Sequence, residues 1–270
     1  MNNIEDKYLA IVAIAKNEGR YISEWISYHL THVADHIFLF DNQSNDNTSE
    51  IARTIEGVTV IPWETTDGLS PQFSAYNWFL KSGLNTYQWL LFIDIDEFFI
   101  KKNESIQLRD FLAAVPANIG AVAINQRVFG SSNQLSYHPD PVMQRFVWRS
   151  ADDYEENKWY KSLARSASIS HIGDCHRFTL RDGYLYCDSN LDLDNFDKEV
   201  RNTKIFRSEN FVLHHYQLKS REEFDFKRNR GGGAEATLEQ RLARFDEGYF
   251  IYRDRYTNSV FDDSSALLSL

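Results

Sequence analysis

Hydrophobic and polar residues alternate in blocks along the first hundred residues. Short apolar runs, typical of buried strands, are separated by segments in which apolar residues recur every three or four positions, as in helices. The predicted strands are Leu9–Ala15, Ile37–Phe40, Val58–Ile61 and Gln88–Ile95, and the predicted helices are Glu18–Val33, Thr48–Ile55 and Pro71–Leu80. This alternating order predicts a parallel sheet with helices on both faces.

The pattern is weaker beyond residue 100. It predicts strands over Ala121–Gln126, Val142–Trp148, Ser162–Ser170 and Phe211–Gln217, helices over Arg221–Arg230 and Leu238–Phe250, and a loop over residues 151–158. Three consecutive glycines, Gly231–Gly233, predict a hinge or flexible loop between the last two helices.

The apolar run Leu90–Ile93 ends abruptly in an acidic motif formed by Asp94, Asp96 and Glu97. Alternation along a strand would direct Asp94 and Asp96 to the same side. Two neighbouring carboxylates repel each other, and both stay ionised when a cation lies between them. Oxygen ligands suit Mg²⁺ or Mn²⁺, which often accompany phosphate-bearing substrates. The motif therefore predicts a divalent-metal site, with a solvated acidic turn as the alternative.

Other polar clusters follow the first two predicted strands. Lys16–Glu18 follows the first and Asp41 follows the second, and ligands of parallel sheets bind at these carboxyl ends. Asp41 is placed to accept a hydrogen bond from the N–H of a nucleotide base. Asp46 or Thr48 is expected to cap the next helix.

Gln72, Tyr76 and Asn77 share one face of a predicted helix. Core packing explains Tyr76, whereas Gln72 and Asn77 need a polar partner, which a sugar nucleotide would supply.

The segment from His215 to Arg230 has two interpretations. It is either a solvated helix stabilised by pairs such as Glu223–Lys227, or a diphosphate clamp of Lys227 and Arg230 beside a metal-binding His215.

Three residues of the weakly patterned region, Lys161, Arg165 and His176, are interpreted as surface or structural residues. Asp174 follows a glycine, and it is either a surface residue in a turn or a catalytic base.

The composition narrows the function classes. With a net charge of -10, the chain lacks the basic face that non-specific nucleic-acid binding requires. Cys175 and Cys187 match no metal or disulfide spacing, which favours a reducing compartment. No apolar run approaches the roughly 18 residues of a membrane span, and acidic Glu5 and Asp6 argue against a secretory signal. We expect a cytoplasmic protein, with peripheral contact at the inner face of the membrane as the alternative.

The order and spacing of several short segments resemble one family. The segments are Ala15–Glu18, Glu24–His29, Asp41–Asp46, Gln72–Asn77, Phe92–Phe98, Phe129–Ser132, Lys161, His176 and His215–Gly231. Together they resemble GT-A glycosyltransferases of the family 2 type, and most closely the bacterial branch related to glycosyltransferase family 92. Two departures stand out, because Gln43 replaces a usual glycine and Ser166 replaces a usual proline.

The resemblance implies an α/β GT-A (Rossmann-like) fold, a mixed sheet with N-terminal parallel βα units. It implies a GT-A domain over residues 1–231, with a nucleotide-binding half (1–100), an acceptor-side half (101–231) and a C-terminal helical extension (232–270). It also implies an inverting, metal-dependent transfer of a sugar from a nucleotide donor, most simply a UDP-sugar, to a glycan or glycolipid acceptor, as in polysaccharide biosynthesis.

The resemblance also suggests residue roles. Donor-binding residues would be Ala15, Lys16, Asn17, Glu18, Asp41, Gln72, Asn77, Asp94, Lys227 and Arg230. Mn²⁺ or Mg²⁺ would be held by Asp94, Asp96 and His215, and Asp174 would be the catalytic base.

Two other classes stay open. A haloacid-dehalogenase-like phosphatase or phosphotransferase also has an apolar strand ending in Asp-X-Asp, but it would place Thr or Val where this chain has Glu97-Phe98. A non-catalytic sugar-binding module would explain the aromatic content of 14% but would not need charged clusters at strand ends.

Overall fold

The computed structural model describes residues 7–64, 69–196, 201–231 and 237–269. The helices are α1 Ile22–His32, α2 Thr48–Arg53, α3 Pro71–Lys81, α4 Leu108–Ala114, α5 Val142–Arg145, α6 Arg221–Asn229, α7 Leu238–Arg244 and α8 Glu247–Thr257. The strands are β1 Leu9–Ala15, β2 His36–Asp41, β3 Val58–Pro62, β4 Trp89–Phe92, β5 Glu97–Lys101, β6 Ile119–Val128, β7 Trp148–Arg149, β8 Tyr160–Arg165, β9 Ile169–His171, β10 Thr179–Leu180, β11 Leu185–Asp188, β12 Phe211–His215 and β13 Val260–Phe261. Short 3-10 helices lie at Glu155–Lys158, Ser166–Ser168 and Ala266–Ser269.

A mixed sheet forms the centre of the fold, in the order β3-β2-β1-β4-β8-β6-β12-β5, with β11 also paired to β6. Strands β1 to β4 pair in parallel: β1 with both β2 and β4, and β2 with β3. Strand β8 runs antiparallel to both β4 and β6, and β12 is parallel to β6 but antiparallel to β5. The predicted fold class, a mixed α/β sheet that begins with parallel βα units, is confirmed.

Strand β1 is buried on both faces, which explains its unbroken apolar sequence. Alternate residues belong to two separate cores. Ile11 packs in a core that includes Trp25 of α1, while Val12 packs in a core that includes Phe79 of α3. Helices therefore cover both faces of the sheet, as predicted.

The prediction of a strand over Val142–Trp148 is wrong, because this segment forms the short helix α5 followed by β7. The Glu24 carboxylate accepts hydrogen bonds from the backbone N–H groups of Val142 (2.8 Å) and Met143 (3.3 Å). The first N–H groups of a helix need such partners. A side chain more than a hundred residues away in sequence thus decides the local conformation.

Two other predicted elements are interrupted. Ser162–Ser170 is divided at Ser168, whose hydroxyl donates to the Gly120 carbonyl at 2.8 Å as the backbone turns between β8 and β9. Leu238–Phe250 is divided into α7 and α8, because the Asp246 carboxylate accepts from the Tyr249 N–H at 2.8 Å and starts a new helix. Of the predicted glycine hinge, Gly232 and Gly233 lie outside the described residues.

The predicted strand Gln88–Ile95 ends early, at Phe92. The Asp94 N–H donates to Glu97 Oε2 at 2.9 Å, and the Glu97 N–H donates to the Asp94 carbonyl at 3.0 Å. Asp94 and Asp96 therefore lie in a turn that joins β4 to β5. Strand alternation does not decide where their side chains point.

The C-terminal segment is tied to the rest of the fold. Strand β13 pairs with β7, and the Ser265 hydroxyl lies 3.1 Å from the Tyr216 hydroxyl, just beyond β12. None of the helices in the described ranges is long and apolar enough to cross a lipid bilayer.

Candidate active site

A cleft of about 970 Å³, counting space open to solvent, lies at the carboxyl ends of β1 and β4. Among the predicted site residues, those that line it are Ala15, Lys16, Glu18, Gln72, Asp94, Asp96, His215, Lys227 and Arg230. Residues separated by more than two hundred positions in sequence thus meet in one cavity. The lining formed by the described residues does not include Asn17, Asp41, Asn77 or Asp174.

The Asp94 carboxylate is held by two side chains. Lys161 Nζ lies 2.8 Å from Asp94 Oδ2, and Gln72 Nε2 donates to Asp94 Oδ1 at 2.6 Å. Burial opposes ionisation of both partners, but Asp94 and Glu97 raise the pKa of Lys161 well above its ordinary value. Burial likewise raises the pKa of Asp94, yet the Lys161 ammonium outweighs it and the net shift is downward. The charge of Asp94 is therefore balanced by a lysine of β8.

Glu97 lies behind the acidic turn and is fully buried. Its carboxylate accepts the Asp94 N–H and lies 3.6 Å from Lys161 Nζ. Burial raises the pKa of Glu97 to about 7. Glu97 therefore fixes the shape of the turn and sits near its protonation midpoint at neutral pH.

Asp96 faces a different set of groups. The Lys227 ammonium donates a hydrogen bond to Asp96 Oδ2, and His215 Nε2 lies 3.6 Å from the same oxygen. Burial raises the pKa of Asp96, but Lys227 and then His215 lower it, and the net pKa lies well below the ordinary value. Lys227 is also fixed by donating to the Gln217 carbonyl at 3.1 Å.

A chain of hydrogen bonds sets the tautomer of His215. Gln126 Nε2 donates to the Glu156 carbonyl at 2.8 Å, which orients the amide so that Gln126 Oε1 faces His215 Nδ1 at 2.8 Å. An amide oxygen can only accept, so Nδ1 carries the proton. In the neutral ring, Nε2 then directs its lone pair towards Asp96.

This arrangement fits a divalent cation at Asp96 and His215. A carboxylate oxygen and an unprotonated Nε2, with the other ring nitrogen held by a hydrogen bond, form the kind of ligand pair that metal sites use. The Asp94 carboxylate faces Lys161 instead of His215. Of the two aspartates, Asp96 is therefore the one whose carboxylate lies beside the His215 ring.

Among the described residues, potential ligand atoms within 4.8 Å of one another occur at Asp174, Cys175 and His176. Asp174 Oδ1 already accepts from the N–H groups of His176 (2.7 Å) and Arg177 (3.3 Å). Burial raises the pKa of Cys175 to about 11, which keeps it a thiol. This group therefore fits a cation less well than the Asp96–His215 pair.

Arg230 closes one side of the cleft. It donates to the Asn17 carbonyl at 3.0 Å and pairs with the Glu18 carboxylate. The Asn17 side chain accepts the Asn45 N–H at 2.8 Å, and its backbone has a φ of 52°. Asn17 thus shapes the loop after β1, and Arg230 anchors the end of α6 to that loop.

The loop after β2 holds a second unusual backbone. Gln43, where the resemblance leads us to expect a glycine, has a φ of 54°, in the left-handed region. Glycine adopts this conformation without strain, whereas Gln43 adopts it with strain. The N-cap of α2 is Asn47, whose side chain forms no capping hydrogen bond, so the prediction that Asp46 or Thr48 caps the helix is wrong. The Asp46 carboxylate instead ties the loop together by accepting the N–H groups of Thr48 and Gly19, each at 3.0 Å.

Besides Asn17, three predicted site residues lie outside the cleft lining. The Asn77 side chain forms two hydrogen bonds with the backbone of Ile172, donating at 2.6 Å and accepting at 3.0 Å. Asp41 follows β2, and its buried Oδ1 has no hydrogen-bond partner among the described residues. Asp174 Oδ2 lies 3.4 Å from Arg201 Nε.

The cleft also contains residues that the sequence did not single out for a role. They are Gln126, Trp159, Cys175, Gln217, Arg241, Arg244, Phe245 and Arg253. A polar Gln126 at the end of an apolar strand was a visible signal, whereas the arginines of α7 and α8 are indistinguishable in sequence from those of a solvated helix. Sequence reasoning interpreted Lys161 and His176 as structural or surface residues, but Lys161 neutralises Asp94 and His176 lines the cleft.

The model of glycosyltransferase family 92 matches residues 14–240 of this chain, which include the residues of the Asp96–His215 site. The chain belongs to glycosyltransferase family 92. The predicted relationship to that family is confirmed.

Curated relatives of this family 92 chain come from plants. A glycosyltransferase family 92 protein from Oryza sativa subsp. japonica is 26% identical over 187 residues, covering 66% of this chain and 30% of the relative. One from Ricinus communis is 22% identical over 228 residues, covering 81% of this chain and 37% of the relative. The chain thus spans about a third of the length of these relatives.

Among solved structures, a similar one is glucosyl-3-phosphoglycerate synthase from Mycobacterium tuberculosis in complex with Mn²⁺, UDP and glucosyl-3-phosphoglycerate. It is 18% identical, with a TM-score of 0.30, over 46% of this chain and 44% of that chain. A TM-score this low does not bear on what the family 92 chain binds.

Proposed function

We propose that this chain is an inverting, metal-dependent glycosyltransferase. It would move a sugar from a nucleotide-diphosphate donor, most simply a UDP-sugar, to a hydroxyl of a glycan or glycolipid. The observation that carries the proposal is the Asp96–His215 pair beside Lys227 in the cleft of a family 92 chain. Mn²⁺ or Mg²⁺ bound there would supply positive charge for a diphosphate leaving group.

The chain's own cations support the same chemistry. When the bond from the anomeric carbon to the diphosphate breaks, negative charge develops on the leaving group. Fixed positive groups stabilise that charge without reorganising. Lys227 and Arg230 line the cleft and are held in place, Lys227 by the Gln217 carbonyl and Arg230 by the Asn17 carbonyl. We place the diphosphate near these two side chains.

We place the nucleoside beside the cleft, near the carboxyl end of β2. Asp41 ends β2 beside Ala15, with which it is in register, and its Oδ1 lacks a hydrogen-bond partner among the described residues. A base N–H would satisfy this oxygen. Lys16 and Gln72 extend the donor site towards Asp94. Asn17 and Asn77 would act indirectly, because their side chains shape neighbouring backbone.

Asp174 stays our proposed catalytic base. Its carboxylate already accepts two backbone N–H groups and faces Arg201, so a substrate hydroxyl would have to compete with these partners. Asp192 and Glu209 are further candidates. Asp188 is fully buried and accepts from the N–H groups of Asn190 (2.8 Å) and Asp192 (2.9 Å), which favours a structural role.

A thermal-shift panel of nucleotide sugars, with and without Mn²⁺, tests the proposal. A ligand that binds only the native state raises the melting temperature. We expect the largest rise when a nucleotide sugar and Mn²⁺ are present together. Equal melting temperatures across the panel would contradict a donor site.

The two alternative functions predict different products. A phosphatase would release inorganic phosphate, and a sugar-binding module would release nothing. Metal-dependent release of a nucleoside diphosphate distinguishes a glycosyltransferase from both.

We also propose that the enzyme works in the cytoplasm, with peripheral contact at the inner face of the membrane as the alternative. The division into a transferase domain (1–231) and a helical extension (232–270) likewise stays a proposal.

A further inference from the structure

His176 is fixed in the wall of the cleft from several sides. Its carbonyl accepts from the Ser162 hydroxyl at 2.6 Å, and its N–H donates to Asp174 Oδ1 at 2.7 Å. Its ring packs edge-on against Trp159, with ring centroids 5.5 Å apart. The residue is only 9% exposed yet lines the cleft. A ring held this firmly presents a fixed chemical group to a ligand.

A backbone carbonyl group decides which ring nitrogen of His176 carries the proton. His176 Nδ1 lies 2.9 Å from the Tyr160 carbonyl oxygen. A carbonyl oxygen only accepts, so Nδ1 is the protonated nitrogen and Nε2 of the neutral ring carries a lone pair. Burial, and after it the neighbouring Lys161 ammonium, lower the pKa of His176 to about 4, so the ring is neutral at pH 7.

Nε2 is the ring nitrogen left for a ligand. Within the described ranges, no side chain or backbone group donates a hydrogen bond to it. The charged groups that act most strongly on the His176 ring are Lys161, Asp174 and Asp94. Lys161 is already committed to Asp94 and Glu97. An unprotonated ring nitrogen in the wall of the cleft accepts a hydrogen bond, and hydroxyl groups are the donors that sugars supply.

We propose that His176 Nε2 accepts a hydrogen bond from a hydroxyl of a sugar ring in the cleft. The ring belongs either to the sugar being transferred or to the acceptor. The inference rests on the proposed function, because it assumes that sugars occupy this cleft. It gives His176 a direct contact with substrate, in place of the structural role that its burial alone would suggest.

Two substitutions distinguish the roles of the two ring nitrogens of His176. In His176→Asn, the amide NH₂ lies where Nδ1 was and can still donate to the Tyr160 carbonyl, but nothing replaces Nε2. In His176→Gln, the longer side chain brings an amide oxygen to the position of Nε2 and abandons the bond to Tyr160. Contact with a sugar hydroxyl requires the Asn variant to be more impaired in activity. A purely structural role requires the Gln variant to be more impaired.

The experiment measures binding of UDP and of UDP-glucose, UDP-galactose and UDP-N-acetylglucosamine with Mn²⁺, together with the rate of UDP release. Losing one hydrogen bond weakens binding about three- to tenfold. If the transferred sugar supplies the hydroxyl, His176→Asn should lose that factor for the UDP-sugar and keep its affinity for UDP. If the acceptor supplies it, donor affinity should persist and the rate of UDP release should fall by a similar factor or more. His176→Gln should recover part of either loss.

Three results would overturn the inference while wild type binds donor. These are a His176→Asn variant indistinguishable from wild type, equal losses for UDP and UDP-sugar, and a His176→Gln variant worse than His176→Asn in both measurements. If wild type binds neither UDP nor any UDP-sugar, the proposed function itself fails and the inference with it. Thermal unfolding of both variants checks that the fold persists.

Discussion

Lys161 Nζ lies 2.8 Å from Asp94 Oδ2, so a lysine of β8 neutralises the first carboxylate of the acidic motif. The sequence predicted that both aspartates need a cation. The structure provides one for each within the chain, Lys161 for Asp94 and Lys227 for Asp96. A metal ion at Asp96 therefore competes with the Lys227 ammonium for the same oxygen.

Replacing Lys161 by Met should destabilise the fold strongly. Removing one partner of a fully buried ion pair costs about 3–5 kcal/mol, and because solvent screens the Asp94 carboxylate, which is 35% exposed, we expect a cost of about 2–3 kcal/mol. Lys158→Met is the matched control. In the part of the chain that the structure describes, Lys158 forms its ion pair with the exposed Glu155, so this substitution should cost less than about 1 kcal/mol. Urea unfolding at pH 7 measures both, and equal losses would contradict the role of Lys161.

The cost of Lys161→Met should also depend on pH. The pKa of Glu97 is about 7 with Lys161 present, and Lys161 lowers it, so the variant should have a still higher value. A carboxyl group whose folded pKa exceeds its unfolded pKa destabilises the fold above the unfolded value, and protonation relieves that cost. The difference from wild type should therefore shrink as pH falls from 8 to 5. A constant difference would contradict this account.

Gln43→Gly should stabilise the protein. Gln43 has a φ of 54°, a conformation that costs a residue with a Cβ about 1 kcal/mol but costs glycine almost nothing. Glycine also loses more chain entropy on folding, so the net gain should be about 0.5 kcal/mol or slightly more. Gly183→Ala, at a φ of 88°, is the converse control and should destabilise. Denaturant midpoints measure both, and a lower midpoint for Gln43→Gly would contradict the strain.

Arg230→Ala should reduce affinity for a nucleoside diphosphate more than for the free nucleoside. A charge-assisted hydrogen bond is worth roughly 1.5–3 kcal/mol, so the preference should fall about tenfold or more. Arg230 also neutralises the buried Glu18, which complicates a single substitution. Glu18→Gln combined with Arg230→Ala removes that unpaired charge. Equal losses for both ligands in the double variant would return Arg230 to a purely structural role.

Asp174→Asn should preserve donor affinity and reduce transfer at least about a hundredfold, because a general base contributes 10²–10⁴-fold to rate. The amide cannot take the hydroxyl proton, although its oxygen can still accept the His176 N–H. Kinetics of UDP release and calorimetry of donor binding give the two measurements. Transfer near the wild-type rate would place the base elsewhere, with Asp192 and Glu209 the next residues to test.

The parallel half of the fold could be predicted because its strands are buried on both faces and read as continuous apolar runs. The prediction failed where a distant side chain decides the local conformation. Val142 and Met143 have the composition of a strand, yet the Glu24 carboxylate holds them as a helix. No local pattern contains that information.

The candidate site likewise has a part that the sequence predicts and a part that depends on contacts between distant residues. Asp94, Asp96 and His215 could be identified from motif spacing, and the structure places all three in one cleft. The partners that set their charge and tautomer are Lys161 and Gln126, and the sequence pattern does not show that these two polar residues face the acidic motif. Such contacts depend on strand order, which the sequence pattern did not supply for the second half of the chain.

The central claim is a metal-dependent donor site at Asp96 and His215, and release of nucleoside diphosphate from nucleotide sugars tests it most directly. The measurement compares wild type with Asp96→Asn, with and without Mn²⁺, after unfolding curves have shown that both are folded. We predict release by wild type that requires Mn²⁺, and loss of that metal-dependent release in Asp96→Asn. Release by Asp96→Asn at the wild-type rate and with the same Mn²⁺ dependence would contradict the account.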